Sequence, residues 1–237
     1  MAFPIVRVMR RLAACLATLS PCIAGSLADD IPIGVEVVTG YRSEYIYRGF
    51  KLANDLIEVQ AEAEIALSNE WILALGGFYG TGTGNGDFSE AAAFFDLRYD
   101  TEQWTAGLAT TWRNYQDSFF RDGFDLAPSF TWHLSEDWDL GTGVAYDTGD
   151  GGWYGNLEAA WSRPLGESSF LAISAGSSWT EDYYTSSGWN DLYSRISWTY
   201  AFNESVALTP FAGVSFPMSG SPESDHLYGG LWFEVNF

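Results

Sequence analysis

The chain is poor in the side chains on which most enzymes and metal sites depend. Among 237 residues it has two histidines, one lysine and two cysteines, Cys15 and Cys22. Both cysteines lie in an N-terminal segment that we expect to be removed, so the remaining chain has no disulfide and no thiolate ligand for a metal. After that segment no run of about 18 apolar residues occurs, which excludes membrane-spanning helices.

The N-terminal segment has the organisation of an export signal. Three arginines within residues 7–11 precede an apolar stretch from Leu12 to Leu19, and Ser26-Leu27-Ala28 places small residues at the two positions that a signal peptidase reads. We therefore predict a signal peptide over residues 1–28 and a single domain over residues 29–237. The alternative is a lipoprotein signal ending at Cys15, but only three residues separate Cys15 from Arg11, too few for an apolar core.

Basic side chains are scarce and acidic ones abundant. The chain has 11 Lys and Arg against 31 Asp and Glu, and removal of residues 1–28 takes away three arginines and no acid, leaving a formal charge of −23. Such a chain repels nucleic acid, so we expect no nucleic-acid partner. The aromatic fraction of 17% and the 25 glycines favour strands with aromatic girdles over an ordinary soluble enzyme.

Strict two-residue alternation is the main positive signal. In the opening segment one face carries Val35, Val37, Thr39, Tyr41, Ser43, Tyr45 and Tyr47, and the other carries Glu36, Arg42, Glu44 and, one step on, Arg48. A strand with an apolar face and an ionised face separates two different solvents. The last segment alternates in the same way and ends at Phe237. Because lipid leaves open backbone groups unsatisfied, the pattern predicts an all-β, transmembrane, antiparallel up-and-down barrel.

Twelve alternating segments are present, each long enough for a tilted spanning strand. We predict twelve strands, with ten as the second choice because Pro128 and Pro210 interrupt the sixth and eleventh. The longer connections on one side are predicted at Gly49–Asp55, Thr81–Asp87, Gln116–Gly123, Asp147–Gly152, Glu181–Trp189 and Pro217–Asp225. The shorter turns on the other side lead into Trp71, Trp104 and Trp138, which predicts an aromatic girdle at one membrane boundary.

The charged residues of these segments are predicted to line the lumen, because a charge facing lipid at mid-membrane costs a few kcal/mol. Two interpretations stay open: the charges fill a narrow barrel as ion pairs, or they set its selectivity for ions or solutes. The predicted lumen residues are Glu36, Arg42, Glu44, Arg48, Glu58, Glu62, Glu64, Asp96, Arg98, Arg113, Asp125, Glu158 and Arg195.

The remaining polar motifs do not predict an enzyme. His226 follows Ser224 and Asp225, but three sequence neighbours on an extended backbone cannot converge on one point, and His133 is expected at a membrane boundary. The segment Asp147–Asp150 has oxygen ligands but lacks a later bidentate acid, so we predict no metal site and no cofactor. A lipid-modifying hydrolase is the third choice of function.

The segment Tyr41-Arg42-Ser43-Glu44-Tyr45-Ile46-Tyr47-Arg48-Gly49-Phe50 ends in an aromatic-x-aromatic-Arg-Gly element. With the hairpin rhythm and the terminal phenylalanine, it resembles the TorF-type porins, small outer-membrane barrels of undefined function. The resemblance implies an outer-membrane barrel without catalytic residues to carry over.

These patterns together predict a narrow passive channel, or porin, in the outer membrane of a Gram-negative cell, with a preference for cations. The alternative is a plugged barrel that is structural or interacts through its surface loops. The expected partners are outer-membrane lipid, small solutes or ions, and the barrel-assembly machinery, for which Phe237 would be the signal.

Overall fold

A computed structural model describes residues 33–84 and 87–237; the predicted signal peptide, residues 1–28, lies outside the described residues. The described chain forms twelve strands. Their bounds are β1 Ile33–Tyr47, β2 Phe50–Ala66, β3 Trp71–Gly82, β4 Ser89–Asp100, β5 Trp104–Gln116, β6 Gly123–His133, β7 Trp138–Asp147, β8 Gly152–Pro164, β9 Ser169–Tyr183, β10 Ser186–Asn203, β11 Val206–Pro217 and β12 His226–Asn236. Within the described ranges no helix is long and apolar enough to cross a membrane.

The strands close into one antiparallel barrel, in which every strand pairs with its sequence neighbours and β12 pairs with β1. At the seam Glu36 lies opposite Asn236 and Arg42 opposite Gly230. Just beyond the strand, Phe237 N donates to Val35 O at 2.9 Å. Closure leaves no open sheet edge, which is the condition for strands in lipid. The prediction of an all-β barrel with twelve strands is confirmed.

The two ends of the barrel differ. We call the end where β1 begins and β12 ends the terminal rim, and the opposite end the loop rim. The terminal rim has short turns at residues 67–70, 101–103, 134–137, 165–168 and 204–205.

The outer face is apolar and exposed, as lipid contact requires. At the terminal rim Trp71 and Trp138 are exposed, and the rings of Trp71, Tyr99 and Trp104 follow one another at centroid distances of 5.0 and 5.4 Å. Because these rings come from β3, β4 and β5 at the same height, they form part of a belt around the barrel. An indole suits this position, since its ring is apolar and its N–H is polar.

Two predicted loops are wrong. Gly49–Asp55 and Glu181–Trp189 were expected as loops, but β1 and β2 are joined by Arg48-Gly49 alone, and β9 and β10 by Tyr184-Thr185 alone. All four turn residues have positive φ, as in the type I′ turns that match the twist of paired strands. Both hairpins therefore extend further past the loop rim than expected.

The predicted alternation of β1 fails at its end. Tyr45 and Tyr47 were expected on the lipid face, but their phenols donate to the inward carboxylates of Glu90 and Asp125. The β1–β2 pairing shifts by one residue at Tyr45/Ile46. The extra residue, Leu52, lies in β2, and such a bulge bends the hairpin and increases its twist. The tip of the β1–β2 hairpin thus turns into the lumen.

The prolines do not end their strands. Pairing of β6 with β7 skips Pro128 and resumes in the same register, while the β5 side pairs Leu108 with Pro128. In the same way Pro210 pairs with Leu231 of β12, and the β10 side skips it. A proline removes one donor, so it interrupts the ladder on one side only.

Candidate functional site

The charged residues that the sequence predicts for the lumen are buried or partly buried in the barrel, together with others of the same alternation. Glu36, Glu58, Glu62, Asp96, Asp125 and Glu158 are all buried, and Arg42, Glu44, Arg48, Glu64, Arg98, Arg113 and Arg195 are partly buried. The sequence analysis missed Glu90, Asp100, Asp139, Asp147, Asp191 and Glu234, which are equally buried. Glu90 and Glu234 could have been found, since they keep the two-residue period with Asp96 and with Trp232.

Arg48 spans the lumen at the loop rim. Its Nη1 lies 3.0 Å from Asp125 Oδ1 on β6 and donates to Tyr183 Oη on β9 at 3.0 Å. β1 and β6 are separated by four strands on one side of the barrel and six on the other, so the Arg48–Asp125 contact crosses the passage. The same carboxylate accepts from the Tyr47 phenol at 3.0 Å.

A second arginine joins this bridge from β5, the strand next to that of Asp125. Arg113 Nε lies 3.3 Å from Asp125 Oδ2, and Arg113 Nη1 is paired with Glu90, which also accepts from the Tyr45 phenol at 2.8 Å. Asp125 therefore serves two guanidinium groups. A buried ion pair is stable only when its remaining lone pairs are also satisfied, and the two phenols supply those donors.

Aromatic rings cover the bridge. Phe50, Phe120, Tyr183 and Tyr184 form one buried group, which we call the mouth cluster. Its rings come from the β1–β2, β5–β6 and β9–β10 hairpins, which are four strands apart around the barrel and so converge over its axis. Phe50 is 1% and Tyr183 0% exposed, so no water fits between them.

Hydrogen bonds from the β9–β10 hairpin hold the mouth cluster in place. Burial raises the pKa of the Tyr184 phenol, which keeps the phenol neutral, and its oxygen accepts from Arg121 N at 3.1 Å. Asn190 Nδ2 donates to Arg48 O at 2.9 Å and so ties the tip of the β1–β2 hairpin to β10. The tip is thus held by its backbone as well as by its guanidinium group.

In the middle of the lumen the rings lie flat against the wall. Arg42 donates to both carboxylate oxygens of Glu58, at 2.6 and 2.5 Å, and Trp232 Nε1 donates to the same carboxylate at 2.6 Å. Trp232 stacks on Phe211 with centroids 4.1 Å apart, and the guanidinium of Arg195 lies 5.5 Å from the Trp232 ring. The charges of Arg42 and Glu58 are paired, and the stacked rings of Trp232 and Phe211 form part of the lumen wall.

Toward the terminal rim the carboxylates are incompletely paired. Arg98 pairs with Glu64 and Asp96. Glu36, Glu62 and Glu234 each leave one buried carboxylate oxygen without a hydrogen-bond donor. This half of the lumen is the most acidic part of the wall.

The histidines lie in polar contacts at the two ends. His133 Nδ1 is 2.7 Å from Asp139 Oδ1, and His133 Nε2 is 3.0 Å from Thr105 Oγ1, which has the shape of a nucleophile, base and acid series. Thr105, however, also donates its single hydroxyl proton to Asp100, so this proton is not available to His133. A Thr105 that donates to a carboxylate is not prepared for attack.

His226 is buried beside the carboxylates of Glu44 and Glu223, each 3.3 Å from one of its ring nitrogens. It is therefore held by two glutamates rather than by Ser224 and Asp225. Among the described residues, no group of three or more His, Cys, Asp or Glu side chains is arranged to hold a metal ion.

A closed twelve-stranded antiparallel barrel with an apolar outside and charged side chains inside has the fold typical of outer-membrane β-barrels. Solved structures of that class are similar to this chain. An outer-membrane channel from Pseudomonas putida F1 matches with a TM-score of 0.55 and 15% identity, over 93% of this chain and 100% of that one. The KdgM porin matches with 0.57 and 5%, over 86% and 99%, and the NanC porin with 0.55 and 12%, over 86% and 98%.

At these identities the likeness shows the fold. No protein-family model matches the sequence, and the search of curated proteins found no match either.

Proposed function

We propose that this protein is a channel of the outer membrane that passes small cations, and that the tip of the β1–β2 hairpin narrows its loop-rim mouth. The observation that carries the proposal is the charge of the lumen. Arginines occupy five lumen positions, and each of Arg42, Arg48, Arg98 and Arg113 already contacts a carboxylate. The acids outnumber them, and several have an oxygen without a donor. A low-dielectric passage with excess negative charge concentrates cations and repels anions.

The similar solved structures support the proposal that solutes pass through the barrel, but they do not bear on the preference for cations. One structure of the KdgM porin, 5% identical with a TM-score of 0.54, is described as a complex with disordered oligogalacturonate, an acidic chain. The lumen of the present chain would repel an acidic chain, so we propose a solute of opposite charge. Assembly in lipid by the barrel-assembly machinery, export through the periplasm of a Gram-negative cell and membership of the TorF-type porins belong to the same proposal. So does the absence of catalysis, which the occupied Thr105 hydroxyl supports.

The second candidate is a barrel closed by its own residues, with a structural or surface-interaction role. The Arg48 bridge and the mouth cluster favour it, because they cross the passage and exclude water. The two candidates differ in whether the tip moves away under working conditions.

Single-channel recording of the refolded protein under a KCl gradient tests the proposal. We expect a reversal potential on the K⁺ side, which weakens as salt rises because the screening length is about 10 Å at 0.1 M and about 3 Å at 1 M. Replacing Glu36, Glu62 and Glu234 by Gln should move the reversal potential toward anions. The matched control removes three charges from exposed turns of the same rim, with Glu102, Glu167 and Glu204 replaced by Gln, and should leave it unchanged.

A wild type that conducts without cation preference contradicts the proposed selectivity. The double variant Arg48→Ala, Phe50→Ala separates the two candidates, since it removes the bridge and one ring of the mouth cluster. A larger conductance in this variant supports a channel narrowed by its tip. A barrel that conducts in neither form supports the closed barrel.

A further inference from the structure

The seam between β1 and β12 opens before it reaches the loop rim. The two strands pair as far as Arg42 and Gly230, although β1 continues to Tyr47 and β12 begins at His226. Over this stretch β1 still pairs with β2, and β12 still pairs with β11. The open part of β1 leads directly into the Arg48-Gly49 tip. Contacts that span the gap therefore help to hold the tip in the mouth.

His226 lies in this gap and is 4% exposed. Its Nδ1 is 3.3 Å from Glu44 Oε2 on β1, and its Nε2 is 3.3 Å from Glu223 Oε2 in the segment before β12. A second contact spans the gap nearby, where Gly229 N donates to Ser43 Oγ at 3.1 Å. One imidazole ring thus links the β1–β2 hairpin to residues 218–225, the segment between β11 and β12.

The elements packed around His226 contribute further charged groups. On β2, the ammonium group of Lys51 lies 3.4 Å from Glu44 Oε1, the oxygen that does not face the ring. On β11, Ser215 lies opposite His226, and its hydroxyl donates to Asp191 of β10 at 2.7 Å. Two carboxylates therefore contact the ring, a third lies behind Ser215, and the nearby ammonium group already contacts a carboxylate.

The two contacts of the ring need a proton on both of its nitrogens. A neutral imidazole has one N–H donor and one lone pair, whereas an imidazolium ion has two donors. Because each ring nitrogen faces a carboxylate oxygen, a neutral ring would turn a lone pair toward one of them. Neither contact is aligned as a hydrogen bond, since His226 Nε2 and Glu44 Oε2 have no hydrogen-bond partner, so charge holds them. Loss of the proton removes this charge from both contacts at once.

We infer that His226 is a pH-dependent latch, whose imidazolium ion holds the β1–β2 hairpin to the segment between β11 and β12 and so keeps the tip in the mouth. Histidine is the side chain that ordinarily changes its charge between pH 5 and 8. The latch is formed on the acid side of this titration, and loss of the proton as the pH rises frees the hairpin at the seam. The inference deepens the proposed function and rests on it for the narrowing of the mouth by the tip.

Hydrogen–deuterium exchange of the detergent-refolded protein tests the latch without a current. The amides of residues 43–52 are followed at about pH 5.5 and about pH 8.5, in the wild type and in His226→Gln. Comparison of the two proteins at one pH cancels the intrinsic pH dependence of exchange. We expect the variant to exchange at least threefold faster than the wild type at about pH 5.5, and equally fast at about pH 8.5. A ring that only fills space would give faster exchange in the variant at both pH values. That result, or equal exchange at both, overturns the inference.

The second histidine of the chain supplies the control. His133 contacts Asp139 at the terminal rim, so His133→Gln should exchange like the wild type at both pH values. Faster exchange in this variant as well would overturn the assignment to His226. Glu223→Gln removes one partner of the ring and should reproduce the result of His226→Gln. Heat-modifiable migration shows that each variant is assembled. A folded Glu223→Gln variant that exchanges like the wild type at about pH 5.5 overturns the latch.

Single-channel recording separates this inference from the proposed function. We expect the wild-type conductance to be at least twofold larger at about pH 8.5 than at about pH 5.5, and this ratio to approach one in His226→Gln. A latch that is seen in exchange without this change of conductance contradicts the narrowing by the tip and retains the latch. A channel narrowed by its tip in which exchange does not depend on His226 contradicts the latch alone.

Discussion

Single glycines decide how much of the lumen the aromatic side chains occupy. A Cβ at Gly40 would lie 2.4 Å from Trp232 Cδ1 and 2.7 Å from Leu231 O, and a Cβ at Gly76 would lie 2.3 Å from Phe94 Cζ. Because nothing projects from these positions, each ring can lie on the backbone of the neighbouring strand. The rings therefore line the wall instead of standing across the passage.

We expect Gly40→Ala to lower the free energy of unfolding by about 1–3 kcal/mol, the usual cost of overpacking, because Trp232 must move. Gly77→Ala is the control, since the atom nearest to an added Cβ there is Ala92 O at 3.4 Å, and it should change stability by less than about 0.5 kcal/mol. Denaturant unfolding in detergent followed by heat-modifiable migration measures both. Equal stability of the two variants contradicts the close-contact explanation.

The two-residue alternation predicts which charged residues face the lumen, but not which of them contact each other. It predicted thirteen charged positions of the lumen, because an ionised side chain on a spanning strand is tolerated only on the face away from lipid. The alternation did not predict the ion-pair partners of these residues. Arg48 and Asp125 are 77 positions apart, and their contact depends on barrel closure.

At the scale of the element, the two short turns change the loop rim most. The Arg48-Gly49 turn has a glycine at its second position, a recognisable signal for this geometry. Tyr184-Thr185 has none, although Tyr184 has φ 46° and Thr185 φ 70°. A β-branched residue is strained in the left-handed region of backbone conformation. The sequence therefore predicted a loop where the structure has a two-residue turn.

We expect Thr185→Gly to stabilise the protein by about 0.5–1 kcal/mol. The left-handed conformation costs a residue with a Cβ about 1–2 kcal/mol, part of which the entropy of the unfolded glycine offsets. The converse change, Gly49→Ala, should destabilise, since Gly49 has φ 81° and an added Cβ would lie 2.4 Å from Asn190 Nδ2. Unfolding midpoints at constant detergent measure both changes. A less stable Thr185→Gly variant would show that the threonine is needed at the turn.

At the scale of the whole molecule, the seam between β1 and β12 completes the barrel. Phe237 follows β12 and exchanges backbone hydrogen bonds with Val35, at 2.9 and 3.4 Å, while its side chain is 69% exposed on the outer face. We propose that the barrel-assembly machinery reads this aromatic residue together with the amphipathic strand β12. The same residue thus extends the seam and presents an apolar ring.

We expect deletion of Phe237 to lower the assembled, heat-modifiable fraction in the membrane. Phe202→Ala is the control, because Phe202 is an aromatic side chain of similar exposure near the same rim, in β10. Quantification of folded and unfolded bands from isolated membranes measures the effect. Undiminished assembly without Phe237, or an equal loss in Phe202→Ala, would place the recognition elsewhere.

The sequence by itself determined the class of fold and the number of strands, and it predicted which residues of most strands face the lumen. These follow from the two-residue alternation of apolar and charged side chains, because one face of each strand meets lipid and the other meets the lumen. The alternation is visible within the sequence of each strand, without its partners. Only the tertiary structure decided that the β1–β2 tip turns inward and that three hairpins meet over the passage. It likewise decided that Glu36, Glu62 and Glu234 share one patch, because strands at opposite ends of the chain become neighbours only when the barrel closes.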